Sequence, residues 1–139
     1  MMQILQPPGW AKPKGYANGV AVKGGTTVFI SGQVAFNSKN VFEEKTFTGQ
    51  FRQTLKNTLA VLAEAGGKPE HIVRMTWYVT DKQEYLGAIR EVGAAWRELM
   101  GRHYPAMAVV QVGALIEDEA KLEIETTAVI PDVTSAETS

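Results

Sequence analysis

Between Phe47 and Gly67 the apolar residues Phe47, Phe51, Leu55, Leu59 and Leu62 recur at spacings of four and three. That spacing lays one apolar stripe along a helix, and Gly66-Gly67 stops it, so the pattern predicts a first helix over about 48–65. The period then changes to two. Val73, Met75, Trp77 and Val79 alternate with Arg74, Thr76 and Tyr78, which predicts a strand over 71–80 with one strongly apolar face. Asp81 stands where it caps a second helix, over about 82–100, whose stripe is Tyr85, Ile89, Val92, Trp96 and Leu99 and whose stop is Gly101.

The flanks read as strands and loops. β-Compatible runs at 17–22 and 27–33 bracket Gly24-Gly25, a pair that permits the positive φ of a hairpin turn. Residues 35–46 fit neither period and predict a loop with at most a short edge strand. The run 107–112 is almost wholly apolar, which predicts a strand covered on both faces. In 121–129, Leu122, Ile124, Thr126 and Ala128 alternate with Lys121, Glu123, Glu125 and Thr127, giving a strand buried on one side. Pro7, Pro8 and Pro13 make the N-terminal segment an extended lead-in, with regular structure from near Tyr16. The order ββαβαββ predicts an α+β fold, a two-layer sandwich of a mixed sheet with two helices on one face. Residues 1–131 form its single domain, and 132–139 a flexible tail of turn-forming composition. Helices on one face leave the other uncovered, which favours packing against a second subunit.

Composition narrows the function classes. A chain of 139 residues with 45% hydrophobic and 21% charged content suits one soluble domain. No apolar run approaches the roughly 18 residues of a membrane span, and MMQILQPPGW does not read as a secretory signal. With no cysteine there is no disulfide framework, and the expected setting is the cytoplasm. The 14 basic residues are scattered among 15 acidic ones, against a nucleic-acid partner. His71 and His103 are far apart without Cys or other His, so neither is read as a metal ligand.

Several stretches carry a resemblance: KGYANG from Lys14 to Gly19, FISGQV from Phe29 to Val34, NTLAVLAEAGG from Asn57 to Gly67, YPAMAVVQV from Tyr104 and KLEIETTAV from Lys121. In this order they resemble the Rid family, the reactive intermediate deaminases, also called YjgF-like or L-PSP endoribonuclease-like. The resemblance implies a chorismate-mutase-like fold, a homotrimer with ligand clefts between subunits, and cofactor-independent hydrolysis of enamines and imines such as 2-aminoacrylate. It also implies site positions. Tyr16, Ser31 and Gly32 match the family's pocket tyrosine and Ser-Gly pair, and Glu123 matches a glutamate credited with orienting water. Val109 stands at a frequent Cys, where a backbone donor survives the change. Met107 stands where active members carry the Arg that binds the substrate carboxylate, and a thioether is no substitute for a guanidinium fork. Arg90, on the second helix, falls near a polar cleft residue of the family and is a candidate replacement cation.

Each residue also has a plainer reading. Met107 fills core gaps, Glu123 faces solvent from an alternating strand, and Arg90 solvates a helix flank. Trp77 and Trp96 lie on apolar stripes and read as core, while Arg102 and His103 follow a helix end whose dipole favours cations. Two functions remain: a Rid-type hydrolase with weak or altered activity, or a non-catalytic small-molecule-binding trimer using the same cleft.

Overall fold

The computed structural model describes residues 2–133. Its central element is a four-stranded mixed sheet in the order β3-β6-β4-β5, built from β3 (Thr26–Gln33), β4 (Ile72–Val79), β5 (Ala106–Gln111) and β6 (Leu122–Ile130). β6 is antiparallel to both of its neighbours, whereas β4 and β5 run parallel. The parallel pair requires a crossover, which the second helical region supplies. One apolar face of this sheet meets α1 (Phe47–Glu64) and α3 (Ile89–Met100) in a shared core that includes Phe51, Leu55, Trp77, Trp96 and Ile124. The fold is α+β, as the periodicities imply.

Local chemistry sets the helix ends. Thr46 caps α1 by accepting from the Gly49 N–H at 3.0 Å. Asp81 Oδ1 accepts from the amides of Gln83 and Glu84 and so starts α2 (Lys82–Gly87) as expected. The single second helix is in fact two. Gly87, a poor helix former, precedes Ala88, whose N–H is drawn to the Tyr85 carbonyl as well as that of Glu84, and the axis restarts at Ile89. After the restart the buried positions are Val92, Ala95, Trp96 and Met100, and Ile89 is left about half exposed.

Four other expectations are revised. The N-terminal segment is not only a lead-in, because Met2–Leu5 form β1 and pair antiparallel with β2 (Gly19–Val22) in a separate two-stranded sheet. Hence β2 and β3 are not a hairpin. Gly24 and Gly25 do turn with φ of 72° and 81°, but a Cβ on Gly25 would lie 2.6 Å from the Ile130 carbonyl, so the turn is pressed against the end of β6 and passes the chain between sheets. In β4 a bulge at Val73 makes Ile72 the buried residue and leaves Val73 only half-buried. β5 is an edge strand, half-buried or exposed throughout, because within one chain the helices cover only one of its faces. Of the expected tail, 134–139 lie outside the described residues, while Asp132 accepts a hydrogen bond from the Gly25 amide at 3.2 Å.

The loop over 35–46 closes with a single bridge between Phe36 and Phe42. It is tied to the body by Gln50, which is buried on α1. Its amide donates to the carbonyls of Glu44 and Glu119, and its Oε1 accepts from the Lys121 N–H at 2.8 Å. A buried amide with three good partners holds two loops and the start of β6 in register. Gln50→Leu removes all three bonds and strands the groups they satisfied, so we expect a loss of about 2–4 kcal/mol in denaturant unfolding, with the sheet still formed.

Candidate functional site

The sequence-predicted residues fall into two groups on opposite sides of the sheet. The first surrounds a cavity of about 490 Å³ between the 14–16 segment, the α2–α3 region and the β4–β5 edge. Ala17 positions that segment. It is buried, its N–H donates to the Pro105 carbonyl at 2.9 Å, and it makes a one-residue parallel bridge to Ala106. Tyr16 is thereby held at the cavity, where Met107 and Val109 also lie. These two point to the helix side because they pair with the buried Met75 and Trp77 of β4, and side chains in register on parallel strands share a face. Met107 is half-buried against the main core as well as lining the cavity.

Aromatic rings make up much of the wall. Besides Tyr16, the lining includes Trp77, Tyr85, Trp96 and Tyr104. Trp96 stacks on Tyr104 at 6.1 Å and donates its Nε1–H to the His103 carbonyl. Trp77 packs between Phe51, at 4.9 Å, and Trp96, at 5.9 Å, with Tyr85 edge-on at 6.3 Å. Burial pushes the Tyr85 phenol above its ordinary pKa, so it remains a neutral hydroxyl through the physiological range. The Trp77 Nε1–H is buried without an acceptor among the described residues.

Arg90 does not line this cavity. The α3 positions that do are Ile89, Val92, Gly93, Trp96 and Arg97, one helical face, and Arg90 is exposed about 100° around the axis from Ile89. Among the described residues the cations lining it are Arg97 and Lys14, and no acidic residue lines the cavity. Among the described residues neither is in an ion pair. Sequence reasoning missed both, although Lys14 begins the KGYANG stretch and Arg97 lies eight residues after Ile89 on its own face. It also read Trp77 and Trp96 as core alone, whereas each is both core and wall.

The second group is Ser31, Gly32 and Glu123. Ile30 pairs with Thr126 and Gln33 with Ile124, so Ser31-Gly32 is a bulge of two residues opposite one. Glu123 projects from the sheet face away from the helices, since Leu122 and Ile124 point inward. Its carboxylate lies over Gly32. A methyl there would overlap the carboxylate oxygen and stand 2.7 Å from Cδ, so only a glycine leaves the space the side chain occupies. On the same face the Tyr78 hydroxyl donates to Glu125 at 3.1 Å, a bond that raises the tyrosine's pKa. The two groups do not meet within one chain. Ser31-Gly32 on β3 and Met107 with Val109 on β5 belong to opposite sheet edges, three strand spacings or about 14 Å apart, and Glu123 stands one strand in from the β3 edge, on β6, and on the opposite face from Met107.

Both histidines are engaged locally. His71 Nδ1 accepts from the Lys68 N–H, and His103 Nε2 is 2.6 Å from the Ile72 carbonyl, so His103 ties the end of α3 to the start of β4.

Comparison with known proteins places the sequence and the fold. The family model described as Endoribonuclease L-PSP matches residues 11–130. A 2-iminobutanoate/2-iminopropanoate deaminase of Salmonella typhimurium is 32% identical over 117 residues, covering 82% of this chain and 86% of its own. Among solved structures, the Rid-family protein YyfB of Yersinia pestis superposes with a TM-score of 0.83 at 27% identity, covering 93% and 98% of the two chains. RidA of an Antarctic Psychrobacter superposes at 0.66 with 31% identity, covering 92% and 99%. With the family's model spanning all but the ends of the sequence, and a relative 32% identical over most of both chains, the chain belongs to the Rid family, also known as the YjgF or L-PSP family.

Proposed function

We propose that this protein hydrolyses a small imine or enamine to a carbonyl compound and ammonia, at a site completed between copies of itself in a homotrimer. The observation that carries the reading is the division of the site. Tyr16, Met107 and Val109 lie at the β5 edge and Ser31 and Gly32 at the β3 edge, where Glu123 of the adjacent β6 lies over Gly32, so a cleft containing both groups needs the β5 edge of one copy beside the bulge of the next. The open sheet face supplies a surface for such contact. Phe29, on β3, is 81% exposed there, and Ala108 and Val110 of β5 share that face.

In this site Glu123 accepts a proton from a water that adds to the carbon of a protonated C=N bond. Glu123 passes that proton to the amino group of the tetrahedral intermediate, ammonia leaves as the hydroxyl loses its own proton and collapses to a carbonyl, and an iminium and a water have become a ketone and an ammonium ion. Ser31 and Gly32, with the backbone at Val109, hold the polar atoms of the substrate. None of these roles calls on a cofactor. The name of the Salmonella relative, an imine deaminase, supports the class of reaction. Met107 argues for altered selectivity, since no cation stands at that point of β5 to take a short substrate's carboxylate. The same substitution favours a second reading, binding without turnover, which the kinetic tests below separate from the first.

Light scattering at micromolar concentration is expected to give three times the 15.2 kDa chain mass, and a monomer would remove the shared cleft. Hydrolysis of 2-aminoacrylate generated in the assay should be roughly ten- to a hundredfold below that of an Arg-bearing relative, the effect of losing one charged hydrogen-bonding anchor worth about 1.5–3 kcal/mol. On whichever imine is turned over, Glu123→Gln should abolish most activity with unfolding unchanged. Gly32→Ala should do nearly the same, because Glu123 swings aside at little cost in stability yet loses its aim. Wild-type turnover in both variants would make Glu123 a structural residue, and no turnover of any imine would leave the binding-only reading.

A further inference from the structure

Resting on the hydrolase reading, the cavity beside Met107 narrows the substrate class. Its volume of about 490 Å³ lies within the ~300–1,000 Å³ range of pockets that enclose drug-sized ligands, more room than a three- or four-carbon acid occupies. Five of its lining residues are aromatic, and aromatic walls reward a planar apolar group by offset and edge-on packing. The strand wall that would hold a carboxylate in an Arg-bearing relative is here a thioether. The cations sit elsewhere, Arg97 on the α3 wall and Lys14 on the 14–16 segment, with no lining carboxylate among the described residues to neutralise them. An anion bound to them has its acid group on the helix side, and the rest of the molecule lies across the rings.

We infer that Arg97, assisted by Lys14, is the carboxylate anchor of this protein, and that the substrate is a 2-imino or 2-enamino acid with an aromatic or similarly bulky apolar side chain. Arg97 is a specificity-determining residue in this scheme. It contacts the acid group and takes no part in the proton transfers, which remain with water and Glu123. A guanidinium suits the task because its planar fork meets a carboxylate with two parallel hydrogen bonds. The replacement also accounts for Met107. With the anchor moved to the helix, a cation on β5 would repel its neighbours and crowd the ring-binding space, whereas a flexible thioether packs against a ring.

Calorimetric titration of the intact protein with three probes tests the inference. Phenylpyruvate is the keto acid released from the corresponding imine, pyruvate lacks the ring, and phenylacetone lacks the carboxylate. Phenylpyruvate is expected to bind at least tenfold more tightly than either. Arg97→Met should weaken phenylpyruvate about tenfold or more while leaving phenylacetone unchanged, and Lys14→Met should do so by a smaller factor. Arg97 is exposed, so folding should survive its loss, and Lys56→Met, on the outer face of α1, is the control. Equal phenylpyruvate affinity in wild type and Arg97→Met, or pyruvate binding as tightly as phenylpyruvate, overturns the inference. Turnover of the imines of phenylalanine and alanine, produced in the assay by an amino acid oxidase, separates it from the reading beneath it. Arg97-dependent binding with neither imine turned over faster than in buffer keeps the anchor and removes the hydrolase. Turnover of both imines at rates indifferent to Arg97 keeps the hydrolase and removes the anchor.

Discussion

Successive side chains of a β-strand leave on opposite faces, and this alternation governs how the molecule is arranged. On β6 it sends Leu122 and Ile124 into the core and Glu123 and Glu125 outward. On β5 the register with β4 sends Met107 and Val109 toward the helices. The residues that would share one reaction are therefore parted by the same geometry that builds the core. A one-residue slip of β6 would turn Glu123 to the helix face but expose Ile124 and bury glutamates, so the division is enforced by folding. Within one chain the sheet face away from the helices and the β5 edge stay uncovered, the surfaces on which the proposed shared cleft relies.

The helix side has a different logic. Phe51, Trp77, Trp96 and Tyr104 form a continuous run of ring contacts from the centre of the core to the cavity. Wall and core are one structure there, and truncating a ring would cost both packing energy and the shape of the cavity. Positions at the rim are less constrained. Ile89, Arg97 and the 14–16 segment touch the cavity without filling the core, so selectivity can change there while the fold is kept. Met107 lies between these regimes, half-buried against the core yet facing open space.

The elements were legible where one period held over many residues. Phe51, Leu55 and Leu62 are buried on α1, and Leu122, Ile124 and Ala128 on β6, as their spacing requires. Legibility failed where the decisive contact was remote. Nothing local reveals that Gly25 abuts Ile130, so Gly24-Gly25 reads as a hairpin turn when it joins two sheets. A bulge moved the buried position in β4 from Val73 to Ile72, and Gly87 broke a helix whose stripe runs on across the break. The site was legible in part. Motif resemblance picked out Tyr16, Met107 and Val109, which do line one cavity, and Gly32 with Glu123, which do touch. The cavity's cations, Lys14 and Arg97, were not singled out, because periodicity gives the buried stripe of Val92 and Trp96 but not which residue at its margin faces open space between α3 and the 14–16 segment.

The distribution of tryptophan gives the protein an optical signature of its own. The chain has three indoles, and Trp10 is 63% exposed near the N-terminus while Trp77 and Trp96 are buried side by side in the cavity wall. An indole in water emits at longer wavelength than one sealed among hydrocarbon groups, so the emission band is a superposition of a red component from Trp10 and a blue one from the pair. Whatever enters the cavity touches only the source of the blue component, and Trp10 serves as an internal reference within the same molecule.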